Sequence, residues 1–157
     1  VKGNYQVKIL DYMVSTKILN DEASLQYMNT LKEEYIIVMD EPKQEFIDIY
    51  AGFNSYDKEK PALINYRDTQ VQLLSEAIKP RHKTKPKSMI INNLKVEFIE
   101  MDAKLEGIED IASYFIYYIE TPDNLYTVMA WTLKNKKDIY REKVKKMIST
   151  FNVKYYK

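Results

Sequence analysis

Six carboxylates, Glu97, Glu100, Asp102, Glu106, Glu109 and Asp110, crowd one short stretch of the chain. A carboxyl pair with one member protonated and one ionised performs acid–base hydrolysis without help from cysteine or histidine. Clustered carboxylate oxygens also hold a hard cation such as calcium. The spacing lacks the Asp-x-Asp-x-Asp-Gly frame of a calcium loop, and charges along strand edges that keep sheets from pairing explain the same residues. No metal ligand is therefore assigned. A second constellation, Lys79, Arg81, His82, Lys83, Lys85 and Lys87, alternates cations in a way that suits phosphates or an acidic patch on a partner. No aromatic residue is interleaved for base stacking, so this stretch reads as a solvated connector in which Arg81, His82 and Lys83 are weak partner-binding candidates. His82 is the only histidine, and with no evident partner for acid–base work it reads as a surface residue.

What is missing narrows the chemistry further. Cysteine is absent, which removes disulfides, thiolate nucleophiles, iron–sulfur clusters and the usual structural zinc sites. Gly3, Gly52 and Gly107 are the only glycines, so neither a Gly-x-Ser-x-Gly elbow nor a phosphate-cradling loop can be built. No catalytic residue and no cofactor is expected. The formal charge of +1, from 24 basic and 23 acidic residues, provides no general field for nucleic acid. No apolar run approaches the roughly 20 residues of a membrane-spanning helix. The sequence opens Val1-Lys2-Gly3-Asn4 without a methionine, which makes a removed leader or lipid-anchor segment an expectation.

The 14 tyrosines and Trp131 offer stacking surface, but Tyr114, Tyr117 and Tyr126 fall at core spacing on strand-like runs. Tyr50, Phe53 and Tyr56 differ. They sit in Glu41 to Pro61, whose prolines, Gly52, Asn54 and Ser55 predict an irregular crossing over a sheet edge, and they are the preferred partner surface.

The elements that must position these groups follow from hydrophobic period. Tyr5 to Leu10 alternates as a half-buried strand. Ala23 to Asn29 is open to a helix or a strand, and strand is favoured because Tyr35 to Met39 is a firm β run that a short hairpin would pair. Ala62 to Ile78 predicts a helix with Ile64, Val71, Leu74 and Ile78 on one side, stopped by Pro80. Met89 to Met101 predicts a strand whose parity slips between Phe98 and Ile99, the mark of a bulge or of burial on both faces. Ile111 to Glu120 and Leu125 to Leu133 are apolar on both faces and meet at Thr121-Pro122-Asp123-Asn124. Asn135 is expected to cap a closing helix over 136–151 with Tyr140, Val144, Met147, Ile148 and Phe151 inward and Lys137, Arg141 and Lys145 toward water. At 157 residues one domain, 1–157, is expected. Its fold class is α+β, an antiparallel sheet of about six strands with one helix packed on each face.

The order of these elements, with Tyr5-Gln6-Val7-Lys8-Ile9-Leu10, Ala23-Ser24-Leu25-Gln26-Tyr27, Tyr126-Thr127-Val128-Met129-Ala130-Trp131-Thr132 and the ending Ile148-Ser149-Thr150-Phe151, resembles the Mog/PsbP-like fold family. Asp11 departs from it, since such chains often place a proline soon after the first strand. The resemblance implies a non-enzymatic binding or assembly module, in bacteria usually outside the cytoplasm and sometimes lipid-tethered, with an unidentified protein or small ligand as partner and no nucleic acid. It carries no catalytic motif onto these residues. A carboxylate-dependent hydrolase and a cytoplasmic chaperone or immunity-type partner are the alternatives.

Overall fold

The computed structural model describes residues 4–154. The chain start at Val1, and with it the expectation of a removed leader, lies outside them. Within the described residues ten strands and three α-helices follow in order: β1 (Tyr5–Gln6), β2 (Val14–Ser15), β3 (Leu25–Asn29), β4 (Glu34–Pro42), α1 (Lys43–Gly52), α2 (Ala62–Ile78), β5 (His82–Lys83), β6 (Lys87–Ile91), β7 (Leu94–Lys104), β8 (Ile111–Glu120), β9 (Asn124–Leu133), a 3-10 turn (Lys134–Lys136), α3 (Lys137–Ile148) and β10 (Asn152–Val153). Eight strands form one antiparallel sheet in the order β2-β3-β4-β9-β8-β7, with β5 and β6 both pairing the free side of β7. The expected sheet of about six strands is thus too small. Tyr5 to Leu10, counted among the six, gives β1, which pairs only with β10 in a separate two-stranded sheet, and Met89 to Met101 falls in both β6 and β7. The strands missed outright in the large sheet are the short edges β2 and β5, whose two residues each are too few to show a period.

Side chains of β8 and β9 are buried on both faces of the sheet. Phe115, Tyr117 and Ile119 of β8 join Tyr140, Val144, Met147 and Ile148 of α3 in one core. Alternate residues Tyr114, Ile116 and Tyr118 join Phe46 of α1 and Leu63 and Tyr66 of α2 in another. The parity slip at Phe98 and Ile99 has the same origin, because Phe98 belongs to the α3 core and Ile99 to the α1 and α2 core while the ladder with β8 runs unbroken.

Several elements depart from the expected pattern. Lys43–Gly52 is a helix, not an irregular crossing. Pro42, with φ −61°, presets its first turn, Gln44 reaches Asp48 one turn on at 2.9 Å, and Phe46 anchors it, so the turn-forming residues punctuate its ends rather than its interior. On α2 the deepest side chains are Leu63, Asn65 and Tyr66, with Val71, Leu74 and Ile78 packed around that core. The first strand stops at Gln6, because its partner β10 is only two residues long and Lys8 N–H turns instead to Thr150 Oγ1 at 2.8 Å. Met89 to Met101 is a hairpin, not one strand: Asn92 and Asn93, at φ 49° and 65°, reverse the chain between β6 and β7. Asn135 lies in the 3-10 turn, and among the described residues no side chain caps α3.

Candidate functional site

The asparagine pair that splits the predicted strand also helps build an open concavity on the α3 side of the sheet. Two consecutive left-handed residues give the twist that a two-residue hairpin needs, and asparagine tolerates that conformation better than most side chains. The Asn92 amide then donates to the carbonyls of Ser149 at 3.0 Å and Phe151 at 2.8 Å, which ties the hairpin tip to the end of α3. Between them runs an open cleft of about 720 Å³. Met89, Ile91, Phe98, Tyr117 and Ile148 make it apolar, while Thr84, Lys87, Arg141 and Lys145 give it polar and cationic edges. The Phe98 and Tyr117 rings meet at 4.5 Å. Changing Asn92 to alanine should lower stability by about 2 kcal/mol, from left-handed strain and two lost hydrogen bonds, readable as a lower urea midpoint at unchanged slope.

Electrostatics inside the cleft are largely fixed by Arg141. Its guanidinium forks onto Glu100 at 2.5 and 3.0 Å, reaches Asp138 at 2.8 Å and lies 5.6 Å from the Phe115 ring centre. The hydrogen bond to Glu100 is the main reason its pKa rises, so it stays charged. Burial pushes the Tyr117 phenol up, and Glu100 adds to the shift, so Tyr117 stays neutral at any ordinary pH.

The predicted acidic cluster does not converge. Glu97 is buried against Arg67 of α2, Glu100 faces Arg141 of α3, and Asp102 accepts from Ser113 at 2.6 Å with Lys137 at 3.5 Å. Successive strand positions point to opposite faces, which separates Glu97 from Glu100 and Asp102. Lys137 and Arg141 accordingly turn to β7 carboxylates, not simply to water. Glu106, Glu109 and Asp110 are exposed around the Gly107 turn.

The six named partner candidates form two separate groups. Tyr50 and Tyr56 clasp the buried Phe46 ring at 4.7 and 6.3 Å, whereas Phe53 is 74% exposed. Arg81, His82 and Lys83 are exposed on the sheet edge at β5, with Arg81 N–H donating to Asp102 C=O at 2.8 Å. The cleft residues were missed because they come from β6, β7, β8 and α3. The one local signal was Asn-Asn between two apolar runs, a hairpin mark.

A large antiparallel sheet with helices and a closing helix after its last long strand defines a PsbP-like fold. Among solved structures the chain is similar to cyanobacterial PsbP (CyanoP) from Synechocystis sp. PCC 6803, at 13% identity and TM-score 0.59 over 96% of this chain and 86% of that one. It is also similar to PA94 from Pseudomonas aeruginosa, a protein of unknown function described as a putative regulator, at 9% identity and TM-score 0.55 over 94% of this chain and 96% of that one. No family model matches the chain, and no curated protein does.

Proposed function

We propose that this protein is a single-domain, non-enzymatic binding or assembly module that takes an amphiphilic, anionic partner in the cleft between β6 and α3. One observation carries this: an apolar trough of about 720 Å³, within the usual range for ligand sites, is edged by Lys87 and Lys145. The scaffold is the sheet sandwiched between α3 on one side and α1 with α2 on the other. Arg81, His82 and Lys83 continue the cationic edge away from the cleft, and Tyr50, Phe53 and Tyr56 form a separate contact surface. Work outside the cytoplasm belongs to the same proposal, with the PsbP-like fold as its support. A hydrolase is disfavoured because Glu97, Glu100 and Asp102 are each engaged by a different cation, and Glu97 lies on the opposite face of the sheet from the other two.

Fluorescence of dansyl-undecanoate, an apolar chain with a carboxylate, tests the cleft. The wild-type protein should bind it, and the pair Lys87→Glu and Lys145→Glu should weaken binding about tenfold by reversing the rim charge. Lys104→Glu, on the exposed end of β7, is the control. Equal affinity of all three proteins would remove the cleft as the site.

A further inference from the structure

The hairpin that walls the cleft has an unpaired outer edge. β6 bonds to β7 on one side, and among the described residues no strand lies on the other. With a two-residue turn at Asn92-Asn93, Ile91 and Leu94 exchange hydrogen bonds, and bonded and non-bonded pairs then alternate along the ladder. Ser88 and Ile90 therefore aim their N–H and C=O groups away from β7. The Ile90 side chain is 66% exposed beside them. Such a row of free backbone groups is what an added strand pairs with.

The neighbouring part of this edge is protected against pairing, and β6 is not. From Lys83 to Lys87 the chain takes four steps while β7 takes three, Met101 to Phe98. The extra residue is a bulge at Thr84-Lys85-Pro86, and both the bulge and the proline obstruct an incoming strand. Beyond it β6 runs in register to the turn. Grooves flank it on both faces: the cleft on the α3 side, and on the α2 side a second groove of about 340 Å³ lined by Leu63, Ile64, Ser88 and Ile90. A strand laid along β6 would send alternate side chains into the two.

Charge selects the partner. Lys83, Lys85 and Lys87 take part in none of the ion pairs among the described residues, and Lys145 has only an exposed contact to Glu142 at 3.1 Å. A second copy of this edge would set like charges against each other. Taking the cleft as the binding site proposed above, we infer that its partner is an extended acidic peptide segment that adds to β6 as a new edge strand. Its carboxylates lie on the α3 side by Lys87 and Lys145, and its β-branched apolar residues lie on the α2 side over Ile64 and Ile90.

A fluorescein-labelled peptide alternating glutamate and valine is the probe, with a lysine–valine peptide of the same length as its opposite-charge control. Anisotropy should show the acidic peptide binding at least about tenfold more tightly than the control. Ile90→Pro deletes an outward N–H at an edge position where proline is tolerated, so circular dichroism and the thermal midpoint should hold while peptide affinity falls about tenfold. Hydrogen exchange at the Ser88 and Ile90 amides, which requires no variant, should slow when the wild-type protein binds peptide. Dansyl-undecanoate is titrated in parallel. If it binds and the peptide does not, or if peptide affinity and amide exchange ignore Ile90→Pro and peptide respectively, strand addition is wrong and the cleft stands. If neither probe binds, both readings fall. A concentration-dependent dimer abolished by Ile90→Pro would overturn the peptide in favour of a second copy.

Discussion

Replacing Arg67 with methionine is expected to lower the unfolding free energy by about 3–5 kcal/mol, because it strands a buried charge. The Glu97 side chain is 3% exposed and Arg67 is 17% exposed, with the guanidinium against Glu97 Oε1 and a second contact to Asp68 at 2.8 Å. Glu97 sits on β7 between Val96 and Phe98, opposite Tyr118 in the ladder, and its face carries the core formed by α1 and α2. Water cannot replace the lost partner there at low cost. The double change Arg67→Met with Glu97→Gln should recover most of the loss, since an uncharged amide no longer needs a counter-ion. Urea denaturation of the wild type, both single variants and the double variant separates the charge from the packing. A double variant no more stable than Arg67→Met would show that the methylene stem and shape of Arg67, rather than its charge, hold α2 to the sheet.

The same pair explains what the sequence concealed. Glu97, Glu100 and Asp102 are close along the chain and therefore looked like one acidic site, but the two-residue period of β7 and the helices on either side send them to different cations. Proximity in sequence left both a shared acidic site and exposed strand-edge charges open, whereas Glu97 and Asp102 are buried ion-pair partners. The strands buried on both faces were legible, since Ile111 to Glu120 is apolar at nearly every position and only a doubly covered strand tolerates that. The helix over Ala62 to Ile78 was legible from its spacing and from Pro80 beyond its end. α1 was not, because residues read as loop composition, Pro42 and Gly52, are also the residues that begin and end short helices. The cleft depends on Asn92 reaching across to the carbonyls of Ser149 and Phe151, a contact between segments far apart in the chain. A local pattern can announce the turn, but it contains nothing about what the turn touches.

Raising the pH above about 10 should unfold the protein cooperatively, because its buried tyrosines can ionise only when the chain opens. Burial is the main cause that raises the phenol pKa of Tyr66, Tyr118 and Tyr140, and it pushes Tyr5 up to about 12 despite its 2.7 Å contact with Ser24 Oγ. In the unfolded chain a tyrosine ionises near 10. Between that value and the raised native value the native state holds protons the unfolded state has released, so stability falls as pH rises. The contribution is fully present below about pH 10 and is lost above it, at a cost of about 1 kcal/mol per buried tyrosine by about pH 11. Four such residues amount to about 4 kcal/mol, a large share of the 5–15 kcal/mol that holds a typical domain together. Tyrosinate absorbance from these side chains should therefore appear in one step with the loss of near-ultraviolet circular dichroism. Tyr118→Phe removes one ionisable group from the sheet without removing its ring, and it should move that step to higher pH. Tyrosinate forming gradually while the dichroism persists would mean that these phenols meet solvent in the native state, and the core built on both faces of β8 would have to be looser than its packing indicates.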